Sequence, residues 1–308
     1  MFIKTHRQWR LWLCALLMTA TPVAVAQEYS AAGTDSCLPC HGPGMPLDAT
    51  PIFATPHAAR NDPQSPFSGL QCEACHGPGQ DHVYAQQRGQ SGLPSVVFGR
   101  DSDTPVDEQN AVCLGCHESQ GRIGWDGSRH QSADLACAAC HRVHRERDPV
   151  FDPLAQQQLC FDCHPQRRAD NLKASAHPLR YGSMSCSDCH DPHNGSHDFL
   201  LREASVVETC FNCHAGKRGP FLWEHAPASE DCTLCHQPHG SNHPALLSKR
   251  PPLLCQQCHS PASHPSTPYT PELAADSMQN RFLLGRACLN CHSQVHGSNH
   301  PSGATLDR

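Results

Sequence analysis

The chain has 308 residues, with 23 Lys and Arg against 29 Asp and Glu, 24 His and 21 Cys. That acidic balance argues against nucleic acid as a partner. From residue 27 onward Leu, Ile, Val and Phe number only 44 of 282, under the roughly 20% below which a charged chain lacks the apolar side chains for a core. The composition excludes an ordinary globular domain, so something large and apolar has to supply the interior.

Residues 1–26 read as a secretory signal peptide. Lys4, Arg7 and Arg10 precede an apolar run from Leu11 to Val25, which closes on the small-residue cleavage site Ala24-Val25-Ala26. The run is shorter than the ~20 residues of a spanning helix and contains Pro22. Cys14 is discarded with it. The mature chain, 27–308, then keeps 20 basic against 29 acidic residues, a formal charge of −9. No later segment is apolar enough to span a bilayer, which predicts no direct membrane span.

The 20 remaining cysteines all fall in Cys-x-x-Cys-His pentapeptides, ten in number. In order they are Cys37, Cys40 and His41; Cys72, Cys75 and His76; Cys113, Cys116 and His117; Cys137, Cys140 and His141; Cys160, Cys163 and His164. They continue with Cys186, Cys189 and His190; Cys210, Cys213 and His214; Cys232, Cys235 and His236; Cys255, Cys258 and His259; Cys288, Cys291 and His292. This is the signature of covalent c-type haem attachment: two thiols add to the vinyl groups on one porphyrin edge, and the histidine binds the iron from one side. One such motif also suits Zn²⁺; ten with no cysteine left over predict ten c-type haems. Disulfides would need the same thiols, so none is expected.

The other histidines alternate with the motifs. Between the two motifs of each successive pair stands one: His57, His130, His177, His225 and His264. After each pair stands another: His82, His144, His193, His239 and His296. The chain thus reads as five copies of a two-haem unit, with ten histidines for the opposite faces of ten irons. His197, His243 and His300 remain, each four residues after a downstream histidine. The first member of each such pair is taken as the ligand because only that position recurs in all five units; the second reads as a turn histidine. Met45, Met184 and Met278 could serve three irons at most, so bis-histidine ligation is expected throughout. His193 and His239 follow their motif histidines by three residues, a reach of at most roughly 11 Å. That cannot take the backbone around a porphyrin, so each is predicted to bind a neighbouring haem.

Motif starts from Cys113 to Cys255 lie 22 to 26 residues apart, leaving little room for ordinary secondary structure. The expected fold is short α-helices and loops wrapped on an elongated chain of ten haems, with little or no β and no internal domain boundary. Segments 42–71 and 77–112 read as surface loops from their Pro-rich and Gly/Gln/Ser-rich composition. Thr270-Pro271-Glu272 ahead of an apolar run ending at Gly285 predicts a helix over 271–284.

CFDCHPQRRAD from 160, CSDCHDPHNGSHDFLL from 186, CTLCHQPHGSNHPALL from 232 and FLLGRACLNCHSQVHGSNHPSG near the end resemble the decahaem cytochromes of the MtrA/DmsE type, which include PioA and MtoA. The resemblance runs through the whole mature chain. It implies a periplasmic cytochrome held in an outer-membrane β-barrel porin, conducting electrons between the periplasm and the cell exterior. A periplasmic or inner-membrane cytochrome would lie on one side, and an outer-surface multihaem cytochrome or extracellular metal on the other. The same haems would serve a soluble periplasmic carrier donating to a terminal reductase. An enzyme needs an open iron; with all ten motifs ending in histidine, electron transfer without catalysis is expected.

Overall fold

The computed structural model describes residues 27–119, 123–259 and 288–307. His264 and the helix expected over 271–284 lie outside the described residues.

Each motif is one turn of helix, because an i→i+4 bond is what brings the fifth residue back beside the first. The backbone N–H of His141, His164, His214, His236 and His292 each donates to the carbonyl of its motif's first cysteine at 2.9 Å. The odd-numbered motifs one, three, five and seven close longer helices, Thr34–His41, Val106–His117, Pro153–Phe161 and Val206–Phe211. Motifs six, eight and ten sit on single 3-10 turns, Cys186–Asp188, Cys232–Leu234 and Cys288–Asn290. Two of these helices, Pro153–Phe161 and Val206–Phe211, start where a side chain replaces missing backbone acceptors. Asp152 Oδ1 accepts from the N–H groups of Leu154 and Ala155, with Pro153 at the first position, and Ser205 accepts from Glu208.

Among the described residues there is no sheet, only isolated antiparallel bridges such as Ser175 to Ser241 and Trp223 to Ser298. The segment 77–112 departs from its expectation as a loop. It contains the helix Gln80–Gln87 and the start of Val106–His117. Composition hid both because neither has an apolar stripe; the first is anchored instead by buried Glu73, which accepts from the N–H groups of Gly79 and Ser30.

The buried apolar side chains among the described residues are six: Phe67, Trp125, Ala136, Phe161, Leu200 and Val207. Buried polar side chains outnumber them. Polar side chains, buried Asn110 and half-buried Gln71 and Gln156, tie the helix of an odd motif to the turn of the next. Thr34 N–H donates to Gln71 Oε1 at 2.8 Å, Asn110 Oδ1 accepts the Cys137 N–H at 2.7 Å, and Gln156 Oε1 accepts the Ser187 N–H at 3.2 Å. Hydrogen bonds of this kind contribute about 1 kcal/mol each, a scaffold that orders the motifs but does not replace a core.

The backbone comes closest between helix Pro165–Asn171 and the segment after motif eight. Gly240 has φ +140°, and a Cβ there would lie 1.9 Å from the Asp170 carbonyl oxygen. Gly240→Ala is expected to lower stability by about 3 kcal/mol or more through strain plus displacement of this contact. Gly44→Ala, with φ +82° and nothing within 4 Å, carries the strain alone and is expected to cost about 1 kcal/mol. Thermal melting followed by Soret circular dichroism separates the two.

Candidate functional site

The structure brings nine of the ten motif histidines face to face with a second imidazole. Ring centroids are 6.3 Å apart for His41 and His82, 6.0 Å for His76 and His144, and 6.0 Å for His117 and His57. They are 5.8 Å apart for His141 and His193, 6.4 Å for His164 and His130, and 5.9 Å for His190 and His239. The last three are His214 and His177 at 6.3 Å, His236 and His296 at 6.1 Å, and His259 and His225 at 6.1 Å. His292, the tenth motif histidine, directs Nδ1 to the Thr305 carbonyl, and His264 lies outside the described residues.

The pairing follows one rule. Where one two-motif segment meets the next, they exchange histidines. The upstream histidine of one faces the first motif of the next, and the downstream histidine of the next faces the second motif of the one before. His57 and His144 cross in this way, as do His130 and His193, His177 and His239, and His225 and His296. His82, at the amino-terminal end, turns back to His41 of its own segment.

Hydrogen bonds reinforce these crossings. His130 Nδ1 donates to the carbonyl of Pro192 at 3.1 Å, His177 Nδ1 to Pro238 at 2.8 Å and His225 Nδ1 to Val295 at 2.9 Å. Each acceptor directly precedes the histidine that crosses the other way. Motif histidines do likewise: His41, His76, His190, His236 and His292 direct Nδ1 to the carbonyls of Leu47, Val96, Phe199, Ala245 and Thr305. A donated Nδ1–H leaves Nε2 as the free lone pair, the state a metal binds. Burial acts in the same direction. It lowers the pKa of His57, His76, His144 and His296. At His239, burial and then the Arg167 guanidinium bring it to about 4, so these rings are neutral at pH 7.

The cysteines form a second continuous series. Within each pair of motifs the first cysteines touch: Cys37 with Cys72, Cys113 with Cys137, Cys160 with Cys186, Cys210 with Cys232 and Cys255 with Cys288. Between pairs the second cysteines lie near one another: Cys75 and Cys116, Cys140 and Cys163, Cys189 and Cys213, Cys235 and Cys258. Alternating first-to-first with second-to-second approaches places the motifs in one file in the order of the sequence.

This donor set fits c-type haem. Metal–nitrogen bonds of about 2.0 Å on both sides of an iron hold two imidazole centroids roughly 6 Å apart, the separation of all nine pairs. Trp125 supplies an independent sign. Its Nε1 is buried without a hydrogen-bond partner while its ring centroid lies 6.4 Å from that of His193, and such an orphaned donor suits a propionate oxygen. His197, His243 and His300 are absent from the nine pairs; His197 Nδ1 donates to the Leu201 carbonyl and His300 Nδ1 accepts from Ser302. Sequence reading missed Asp148, which accepts from His141 Nδ1 at 2.7 Å, and Arg167, whose Nη1 lies 3.1 Å from His239 Nδ1. The signal for Asp148 was a carboxylate seven residues past its motif histidine, a spacing that Asp48 shares after His41, although Asp48 accepts from Thr50 instead. Arg167 is 72 residues from His239 and left no signal.

Comparison with known proteins agrees with this arrangement. Residues 177–219 and 225–264 match the doubled CXXCH motif family, 72–155 the family of NrfB-like c-type cytochromes, and 18–77 that of cytochrome c554 and c-prime. The multiheme cytochrome MtrA of Shewanella baltica is 49% identical over 91% of this chain and 83% of its own length. The c-type cytochrome NrfB of Escherichia coli is 29% identical over 53% of this chain and 85% of its own. The dissimilatory sulfite reductase MccA of Wolinella succinogenes is 26% identical over 50% of this chain and 21% of its own. With facing imidazoles, paired motifs and this relationship along nearly its full length, the chain belongs to the MtrA-type multihaem c-type cytochromes, proteins of electron transfer.

Proposed function

We propose that the chain binds ten haems, one on each motif, as five two-haem units, and that it carries electrons between the periplasm and the cell exterior from within an outer-membrane β-barrel. The observation that carries this reading is the unbroken file: every motif neighbours the next through its cysteines, with no step left out. The haem group supplies a one-electron couple at each iron. The chain's own part is placement. Twenty thiols fix the porphyrin edges, and His41, His76, His117, His141, His164, His190, His214, His236, His259 and His292 ligate from one side. The facing histidines ligate from the other, and His264 is the remaining candidate for the iron of His292. With both axial positions closed, the site offers conduction and no place for a substrate.

The barrel reading draws support from the relationship to MtrA and from the protein's chemistry. Among the described residues no helix is long and apolar enough to cross a membrane, so a path through lipid has to be provided by a partner. A periplasmic or inner-membrane cytochrome would meet one end of the file, and an outer-surface cytochrome or extracellular metal the other.

Intact-mass measurement is expected to give the polypeptide from Gln27 plus ten haem masses; fewer haems or an alkylatable thiol counts against the stoichiometry. For ligation, His239→Ala opens the position opposite His190, and is expected to convert one low-spin haem to a high-spin centre that binds carbon monoxide when reduced. His243→Ala is expected to leave all haems low-spin by electron paramagnetic resonance. A high-spin centre in the unmodified protein would restore the open iron an enzyme requires. For conduction, liposomes carrying the cytochrome with its barrel are expected to pass electrons from an external reductant to an enclosed dye. Liposomes with the cytochrome alone are expected not to, and equal rates would favour the soluble carrier.

A further inference from the structure

Nine of the paired or motif imidazoles direct Nδ1 to a backbone carbonyl; the pair at the fourth motif does otherwise. His141 Nδ1 donates to Asp148 Oδ2 at 2.7 Å, and across from it His193 Nδ1 lies 3.7 Å from Asp191 Oδ1. Asp148 is held in this role. Its side chain is 15% exposed, and Oδ1 accepts the N–H groups of Arg142 and Val150, both at 3.3 Å. The neighbouring guanidinium groups bond elsewhere, Arg142 to the Ala138 carbonyl and Arg147 to that of Phe151.

A carboxylate on an imidazole N–H draws the proton toward itself and leaves the ring more anionic than a carbonyl does, so the opposite nitrogen becomes a stronger donor. A stronger donor stabilises ferric over ferrous iron, and second-shell hydrogen bonding is one of the means by which protein sets a haem potential. Ring orientation does not produce the same distinction. The rings of His141 and His193 are inclined by 14° and those of His190 and His239 by 9°, yet the latter pair has the Phe199 carbonyl on one Nδ1 and the Arg167 guanidinium beside the other.

We propose that Asp148, assisted by Asp191, is a positioning residue that makes the fourth position the hardest of the file to reduce. It would divide the wire into a stretch of three haems before it and six after it. This rests on the haem-file reading above. Electrons entering from either end would fill the neighbouring positions first and cross the fourth as an uphill step, so that the two stretches act as separate stores joined by one thermally activated passage.

The test is a potentiometric titration of the purified holoprotein with dithionite, followed by the low-spin ferric signals in electron paramagnetic resonance. In the unmodified protein the last signal to vanish is expected to amount to about one spin in ten, from a pair with near-parallel rings. Asp148→Asn removes the charge and keeps a single acceptor oxygen, which can serve either His141 Nδ1–H or the cap N–H groups of Arg142 and Val150, while its amide nitrogen serves neither. It is expected to move that last spin to higher potential, into the main group, with the haem count unchanged. Asp148→Glu is expected to return it toward its original position, and Asp191→Asn to shift it less, as the longer contact implies. An Asp148→Asn protein that titrates like the unmodified one overturns the proposal. So does one that loses a low-spin haem without moving a midpoint, because that makes Asp148 a structural support only. The titration uses the cytochrome alone in solution, so its failure is distinct from failure of the liposome experiment.

Discussion

A histidine three residues past its motif cannot pass around its own porphyrin, and most of the architecture follows from that geometric limit. His193 and His239 are carried outward to meet His141 and His190, 52 and 49 residues earlier in the chain. The upstream histidines are carried forward by the same logic. Four reciprocal crossings result, and at each one two chain segments far apart in sequence are held together by two imidazole pairs. No cut between adjacent segments can be made without separating both pairs of a crossing.

Such crossings also explain how so few apolar side chains suffice. Fixing a backbone costs about 1–2 kcal/mol per residue, and the described residues bury only six apolar side chains. The polar ties at Gln71, Asn110 and Gln156 register one motif against the next but add little net free energy. The balance has to come from porphyrin surface and from iron–nitrogen bonds, as it comes from the ion in small metal domains. Folding and cofactor attachment are on this account one process. The carbonyls that receive Nδ1–H from His130, His177 and His225 are drawn from the crossing segments themselves, Pro192, Pro238 and Val295: the bond that orients one ligand also positions its counterpart.

Much of this was legible in the residues. Motif identity, the alternation of histidines and the short-helix fold all follow from spacing, and the three-residue reach of His193 and His239 already ruled out their own motifs. What spacing could not supply was the partner. Skipping one motif or two satisfies the same reach, and the choice depends on the reciprocal crossing, which exists only once two segments lie side by side. The helices Gln80–Gln87 and Val106–His117 were hidden for a related reason: their stability resides in buried Glu73, Gln109 and Asn110 and in the attached motif, not in an apolar stripe. Asp148 and Arg167 were hard to find because a charge beside an imidazole is defined by three-dimensional contact: Asp48 has the same spacing after His41 yet bonds Thr50, and Arg167 is 72 residues from His239.

The first segment of the file differs from its interior in a way that bears on how such a wire can be built. Inside, every segment gives one histidine forward and one back, so interior segments present equivalent joints on both sides. At the first segment the downstream histidine does not cross, and His82 closes on His41 within its own segment. A file of this kind can therefore gain or lose an interior segment while the His41–His82 closure stays as before, since each joint asks only for a histidine crossing in either direction. Its length becomes a matter of how far electrons have to travel, while tuning is left to local charges such as Asp148 that no joint requires.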